Sequence, residues 1–187
     1  MFKQIYLDIK LYKDAFQRVP TPAIDISIIL YLIDKYKPET FLEVGTCSGH
    51  TSRTITNVFP NLKITTCDPG DKVELNKRNK IQLSEYLSQN KIGEQIIGCK
   101  NVNFIYDEFL NINFESKFDM IFIDGNHSLD CVYNDSIRAI KLLNEGGTII
   151  WHDFNNVFDV NEALEKLNLD IYTPINNRNM IAFWRNK

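Results

Sequence analysis

Nowhere in its 187 residues does the chain hold the roughly twenty successive apolar side chains that a membrane-spanning helix requires. Its amino terminus, MFKQIYLDIKLYKD, breaks each apolar run with charge, so it lacks the h-region and small-residue cleavage site of a secretory leader. There is no basic surplus either. Lysine and arginine number 21 against 24 aspartates and glutamates, a formal charge of −3. No broad positive footprint is offered to nucleic acid or to an anionic membrane. The densest basic stretch, DKVELNKRNK (71–80), interleaves acids and amides as a solvated helix face does. The four cysteines, 47, 67, 99 and 131, form no C-x-x-C pair, which argues against a zinc site on paired thiolates. They read as free thiols in a reducing compartment, with the cytoplasm as the expected location. Cys47 and Cys67 fall near neighbouring strand ends, but a bridge there is not expected. Missing too are G-x-G-x-x-G, the Gly-Lys-Ser/Thr of a P-loop and a G-x-S-x-G nucleophile elbow. Internal repeats and low-complexity linkers are also lacking.

What is present is enough core for one domain, with 44% hydrophobic and 12% aromatic residues. Elements alternate along the chain. AIDISIILYLIDKY (23–36) has helical apolar spacing and ends before Lys37-Pro38. Short apolar or β-branched runs follow at 40–45, 62–68, 101–107, 118–125 and 147–153, each reading as a buried strand. Between them, helices are expected over 50–59, 72–90, 128–144 and 160–168. LDIYTPI and NMIAFWRN face each other across NNR (176–178) as a terminal hairpin. Continuous apolar strands separated by helices predict a doubly wound, mostly parallel α/β sheet covered on both faces, with one antiparallel strand from the hairpin. Residues 23–187 would form this core. Residues 1–22, with Tyr12, Phe16 and RVPTP (18–22), would form a lid. So short a lid implies an open site or a cap lent by a second copy of the chain.

The strand ends carry the chemistry. The five runs finish in Glu43, Asp68, Asp107-Glu108, Asp124 and His152-Asp153. In open α/β sheets ligands bind beyond these carboxyl ends, where strand order reverses. A core does not call for acids at five strand ends on one edge, because buried unpaired carboxylates are costly. After Glu43 comes a loop with Gly45 and Gly49, where backbone can approach a ligand closely. Lacking a phosphate fingerprint, it suits a cationic ligand without phosphates. Asp68 is placed to accept both hydroxyls of a ribose. Thr51, at the next helix start, can donate to a ligand carboxylate beside helix N–H groups.

FLEVGTCSGHTS, then TTCDPG, then FDMIFIDGNHSLDCVYNDSIRAIKLLNEGGTIIWHDF resembles the class I S-adenosylmethionine-dependent methyltransferases. More narrowly it resembles their small-molecule O-methyltransferase branch with a D-G-x-H element, which includes catechol-type and sugar-modifying enzymes. The likeness covers roughly residues 23–185. It implies a Rossmann-like sheet of seven strands, the last antiparallel. By position it implies that Glu43, Gly45, Thr46 and Gly49 serve the methionine and sulfonium end, with Thr51 at the methionine carboxylate. Asp68 would hold the ribose, Glu108 and Phe109 would flank the adenine, and Asp124 would border the cofactor. The acceptor would be a small hydroxylated compound: sugar, phenol or secondary metabolite. No Asp/Asn-Pro-Pro-Tyr/Phe follows the fourth strand, where enzymes acting on DNA or protein amino groups often carry it, so nucleic acid is not the expected partner.

Methyl transfer to a hydroxyl needs in-line alignment and loss of a proton, either to a base or under the influence of a metal. His127, three residues beyond Asp124, is the candidate base, with capping of the helix from Ser128 as its bland alternative. Asp124, His152 and Asp153 are candidate ligands for Mg²⁺ or Mn²⁺. Catechol-type relatives carry Asp-Asn where this chain has Asp153-Phe154, and the sugar-modifying type carries two acids at 152–153, so a metal requirement stays open. A reading from another class is a non-catalytic module that binds the cofactor or a nucleotide-sugar and acts through a partner.

Overall fold

The computed structural model describes residues 2–7, 21–70, 91–175 and 179–187. The helix expected over 72–90, the lid residues Tyr12 and Phe16, and the NNR turn lie outside them.

Lys3–Ile5 forms β1 and Ala23–Tyr36 forms α1. The α1 chain turns left-handed at Lys37 (φ 48°) ahead of Pro38, which cannot continue a helix. β2 (Thr40–Val44), α2 (His50–Val58), β3 (Lys63–Cys67) and β4 (Val102–Ile105) follow. β5 (Phe118–Ile123), α3 (Leu129–Leu142), β6 (Leu143–Trp151) and α4 (Phe158–Lys166) complete the alternation. β7 (Tyr172–Pro174) and β8 (Ala182–Arg185) are the hairpin. Glu94–Ile96 and Phe109–Asn111 make short 3₁₀ turns.

All strands share one sheet in the order β1-β7-β8-β6-β5-β2-β3-β4. Every neighbouring pair is parallel except β8 with β6 and β7. The sheet therefore has eight strands, not seven. The addition is β1, which pairs with β7 from Lys3↔Tyr172 to Ile5↔Pro174. Three residues carry no period to read, and only the exposed edge of β7 makes them a strand. β6 also begins at Leu143, earlier than the run at 147–153, and its pairing with β5 shifts register across Gly146 (φ 71°), resuming at Met120↔Thr148.

Strand alternation divides the core into two layers. Phe41, Met120, Phe122 and Ile150 pack under α1 and α2 with Ile29, Ile33 and Ile55. Leu42, Ile121, Ile123, Ile149 and Trp151 pack under α3 and α4 with Val132, Ala139 and Leu164. Order reverses at β2, which has β3 on one side and β5 on the other. The crevice therefore opens where β2 and β5 end. Among the described residues no helix is long and apolar enough to cross a membrane, and all four cysteines are free.

Candidate active site

The parallel ladder runs one rung past the strand ends. Gly45 N–H donates to Cys67 O (2.9 Å), Asp124 N–H to Val44 O (2.8 Å) and His152 N–H to Ile123 O (3.1 Å). The next side chains thus stand side by side above the core, around a cleft of about 1210 Å³. Gly45 sits at φ 98°, and a Cβ there would lie 2.2 Å from the Asp124 carbonyl oxygen. Only glycine lets the two strand ends approach so closely.

Of the residues singled out in sequence, Gly45, Thr46, Thr51, Asp68, Glu108, Phe109, Asp124, His127, His152 and Asp153 all line this cleft. Asp68 accepts the N–H of Cys47 (2.7 Å) and of Gly70 (2.8 Å), which fixes its carboxylate while each oxygen keeps a lone pair for a ligand. The Thr51 hydroxyl lies 3.4 Å from that of Thr21, and Thr46 shares a 2.6 Å bond with Thr66. Gly49 stands at the start of α2 with φ 90°.

Glu43 is not among the lining residues. Alternation turns it toward α2, where Oε2 accepts the hydroxyls of Ser52 and Thr66, both at 2.6 Å. Burial pushes its pKa up to about 8 against those two bonds. Its carboxyl thus ties β2, β3 and α2 together behind the glycine loop.

The opposite wall is a cluster of imidazoles and carboxylates. His152 Nδ1 lies 3.0 Å from Asp124 Oδ1 and 3.2 Å from Asp153 Oδ2, and Nε2 lies 3.3 Å from Asp25 Oδ2. His127 Nε2 stands 3.1 Å from Asp153 Oδ2 and 3.7 Å from Asp124 Oδ1. Its ring is angled so that neither contact closes an aligned hydrogen bond. Burial opposes charge on His152, but Asp124, Asp153 and Asp25 outweigh it and hold the pKa up at about 12. Burial likewise opposes charge on Asp153, and the two histidines and Asn156 bring its pKa down to about 2. Asp124 sits below the usual carboxylate range for the same reason, chiefly through His152. Burial works against a charged His127, yet Asp124 and Asp153 raise it above the ordinary histidine value.

The donor set fits a divalent cation. Asp124, His152 and Asp153 offer ligand atoms within 4.8 Å of one another. The Nδ1–oxygen separations are close to the ~3 Å between adjacent ligands of an octahedral ion held at about 2.1 Å. Asp25, wholly buried, supports the far ring nitrogen in the carboxylate–histidine arrangement that orients a ligating imidazole. Without an ion, a proton on Nδ1 closes the same cluster. Phe154 is buried against Phe2 (centroids 4.7 Å apart), and Asn156 donates to Asp153 Oδ1 at 2.7 Å. Sequence reasoning missed Asp25, which reads as an acid in the first turn of a helix, and Asp135, a buried cleft residue on α3.

Comparison with known proteins agrees with this fold. Malonyl-[acyl-carrier protein] O-methyltransferase 1 of Ilyobacter polytropus is 29% identical over 160 residues, covering 76% of this chain and 53% of that protein. The chain thus spans about half the length of this curated relative. Among solved structures, the O-methyltransferase TomG of Streptomyces achromogenes, in complex with SAM, aligns with a TM-score of 0.58 at 16% identity. That alignment covers 97% of this chain and 93% of TomG. The SAH-bound methyltransferase PaMTH1 of Podospora anserina aligns at 0.60 with 17% identity, covering 94% and 85%. At such identities these likenesses speak to the fold. The model of the methyltransferase domain family matches residues 42–154, from β2 through the glycine loop, Asp68, Asp124 and His127 to Asp153 and Phe154, and the chain belongs to that family.

Proposed function

We propose that the chain transfers the methyl group of S-adenosylmethionine to a hydroxyl of a small, uncharged acceptor, with residues 23–187 as the catalytic core. The observation that carries this reading is His127 Nε2. It is buried without an aligned hydrogen-bond partner and stands beside Asp124 and Asp153 in the cleft that Gly45 and Asp68 border. S-adenosylmethionine supplies a methyl on a sulfonium, ready for in-line displacement. The chain supplies the rest. Asp68 would hold the ribose hydroxyls, and the loop from Gly45 to Gly49 with the α2 amino end would receive the methionine portion. In its neutral form His127 would take the acceptor's proton, and Asp124 and Asp153 would stabilise the imidazolium formed. A divalent cation on Asp124, His152 and Asp153 would lower the pKa of a bound hydroxyl.

The lining weighs against an anionic acceptor. Beside Asp68, Asp124 and Asp153 the cleft carries Glu108, Asp130 and Asp159, and no lysine or arginine among its described residues. A carboxylate acceptor such as the Ilyobacter relative's name implies would enter against these charges.

Titration calorimetry with S-adenosylmethionine and S-adenosylhomocysteine, with Mg²⁺ and with chelator, followed by labelled methyl transfer to a panel of neutral polyols and phenols, tests the proposal. Micromolar binding with transfer to a hydroxyl is expected. Binding of neither compound overturns it. Binding without turnover on any acceptor favours a cofactor-binding module.

A further inference from the structure

One carboxyl at the floor of the cleft has no part in the chemistry above. Asp135 is 8% exposed and lines the cleft from α3. Its neighbour fixes its direction. Ser136 Oγ donates to the Val132 carbonyl (2.6 Å) and accepts the indole N–H of Trp151 (2.8 Å), pinning α3 to β6. Asp135 then points at the strand ends, its Oδ2 3.9 Å from where a Cβ on Gly125 would stand. The Cys67 thiol and the Glu108 carboxyl are its electrostatic neighbours. Among the described residues no hydrogen bond reaches it. Arg138, the cation one turn on, attracts it electrostatically but gives it no hydrogen bond. It donates to the carbonyls of Leu110 and Ile112 and lies over the Phe109 ring, 5.2 Å from its centroid.

The carboxyl takes no hydrogen bond from the described residues, and its open side faces the ligand space. Burial, with Glu108 beside it, outweighs the pull of Arg138 and raises its pKa to about 7, so a large share of the acid is neutral near pH 7. A neutral carboxyl sets a carbonyl acceptor beside a hydroxyl donor. Adenine presents the matching pair, an amino donor beside a ring-nitrogen acceptor. Asp68 directly follows Cys67, so a base attached to a ribose held there meets Glu108, Phe109 and Asp135. We propose that Asp135 recognises the adenine of the cofactor through its amino edge, which rests on the S-adenosylmethionine reading above.

The test compares S-adenosylhomocysteine with its 6-desamino purine analogue by titration calorimetry on the full chain. Wild type is expected to prefer the amino compound by about tenfold. Asp135→Val and Asp135→Ser should bring that preference to within about twofold by losing affinity for S-adenosylhomocysteine alone; either serves provided it melts cooperatively. Asp135→Asn should keep most of the preference, because an amide pairs with adenine in the same two-point manner. A wild-type preference persisting in a folded Val or Ser variant overturns the assignment of Asp135 alone. So does a wild type that binds S-adenosylhomocysteine without preference. A wild type that binds neither compound overturns the cofactor reading with it.

Discussion

The imidazole Nε2 of His152 lies 3.3 Å from the Asp25 carboxylate, across 127 residues of sequence. The same carboxylate accepts the N–H of Met180 at 2.9 Å. One buried acid in the first turn of α1 therefore joins the end of β6 to the approach to β8. Removing it leaves His152 with one ring nitrogen unpartnered and the Met180 N–H without an acceptor. Asp25→Ala is expected to lose about 3 kcal/mol or more of unfolding free energy in urea, and Asp25→Asn distinctly less. Equal stability of the Ala variant and wild type would count against this linkage.

His127 is expected to matter for turnover and not for cofactor binding. His127→Gln should lower kcat about 10²- to 10⁴-fold, the usual worth of a general base, with S-adenosylhomocysteine affinity within a few-fold of wild type. Turnover at the wild-type rate would leave His127 as a helix cap.

Glu43 gives stability a pH dependence of defined sign. The folded carboxyl keeps its proton from near 4.5, its ordinary value, up to about 8, whereas the unfolded chain releases it near 4.5. Between those values the unfolded state binds fewer protons, so stability falls as pH rises and levels off beyond about pH 8. Asp135, raised to about 7 by burial, acts in the same direction. The Glu43 contribution is on the order of 3–5 kcal/mol across the window. Urea unfolding of Glu43→Gln between pH 5 and 8 should therefore show a shallower decline than wild type. Parallel curves would mean that Glu43 is ionised in the fold.

Gly45→Ala places a methyl 2.2 Å from the Asp124 carbonyl oxygen, at a backbone φ of 98°. Strand ends cannot separate without breaking the bond from Asp124 N–H to Val44 O. A loss above about 3 kcal/mol is expected, or no cooperative folding. A near-neutral thermal melt would contradict this packing.

Apolar continuity and its interruptions made the parallel core legible before any coordinates. The acids closing each run marked the right edge of the sheet, so Asp68, Asp124, His127, His152 and Asp153 were nameable in advance as a group sharing one cleft. Three features left no such trace. Lys3–Ile5 is a strand only because β7 offers an edge. Asp25 and Asp135 read as an acid favoured by a helix dipole and as a polar-face residue, because their roles come from what the fold sets opposite them. Glu43 is instructive in another way. Its position after Leu42 placed it at the strand end, but alternation sends the side chain to Ser52 and Thr66, behind the loop.

The two-layered core gives the cleft a mounting on each face of the sheet. Asp25 belongs to the layer beneath α1, whereas Asp135 rides on α3 over the opposite face. Amide hydrogen exchange should register them as separate opening units, with α3 protected by an adenosine ligand more than α1 is. On the proposed roles, variation in α1 would retune the wall around His152 while Asp135 on α3 keeps its place, so acceptor preference would drift without surrendering the methyl donor.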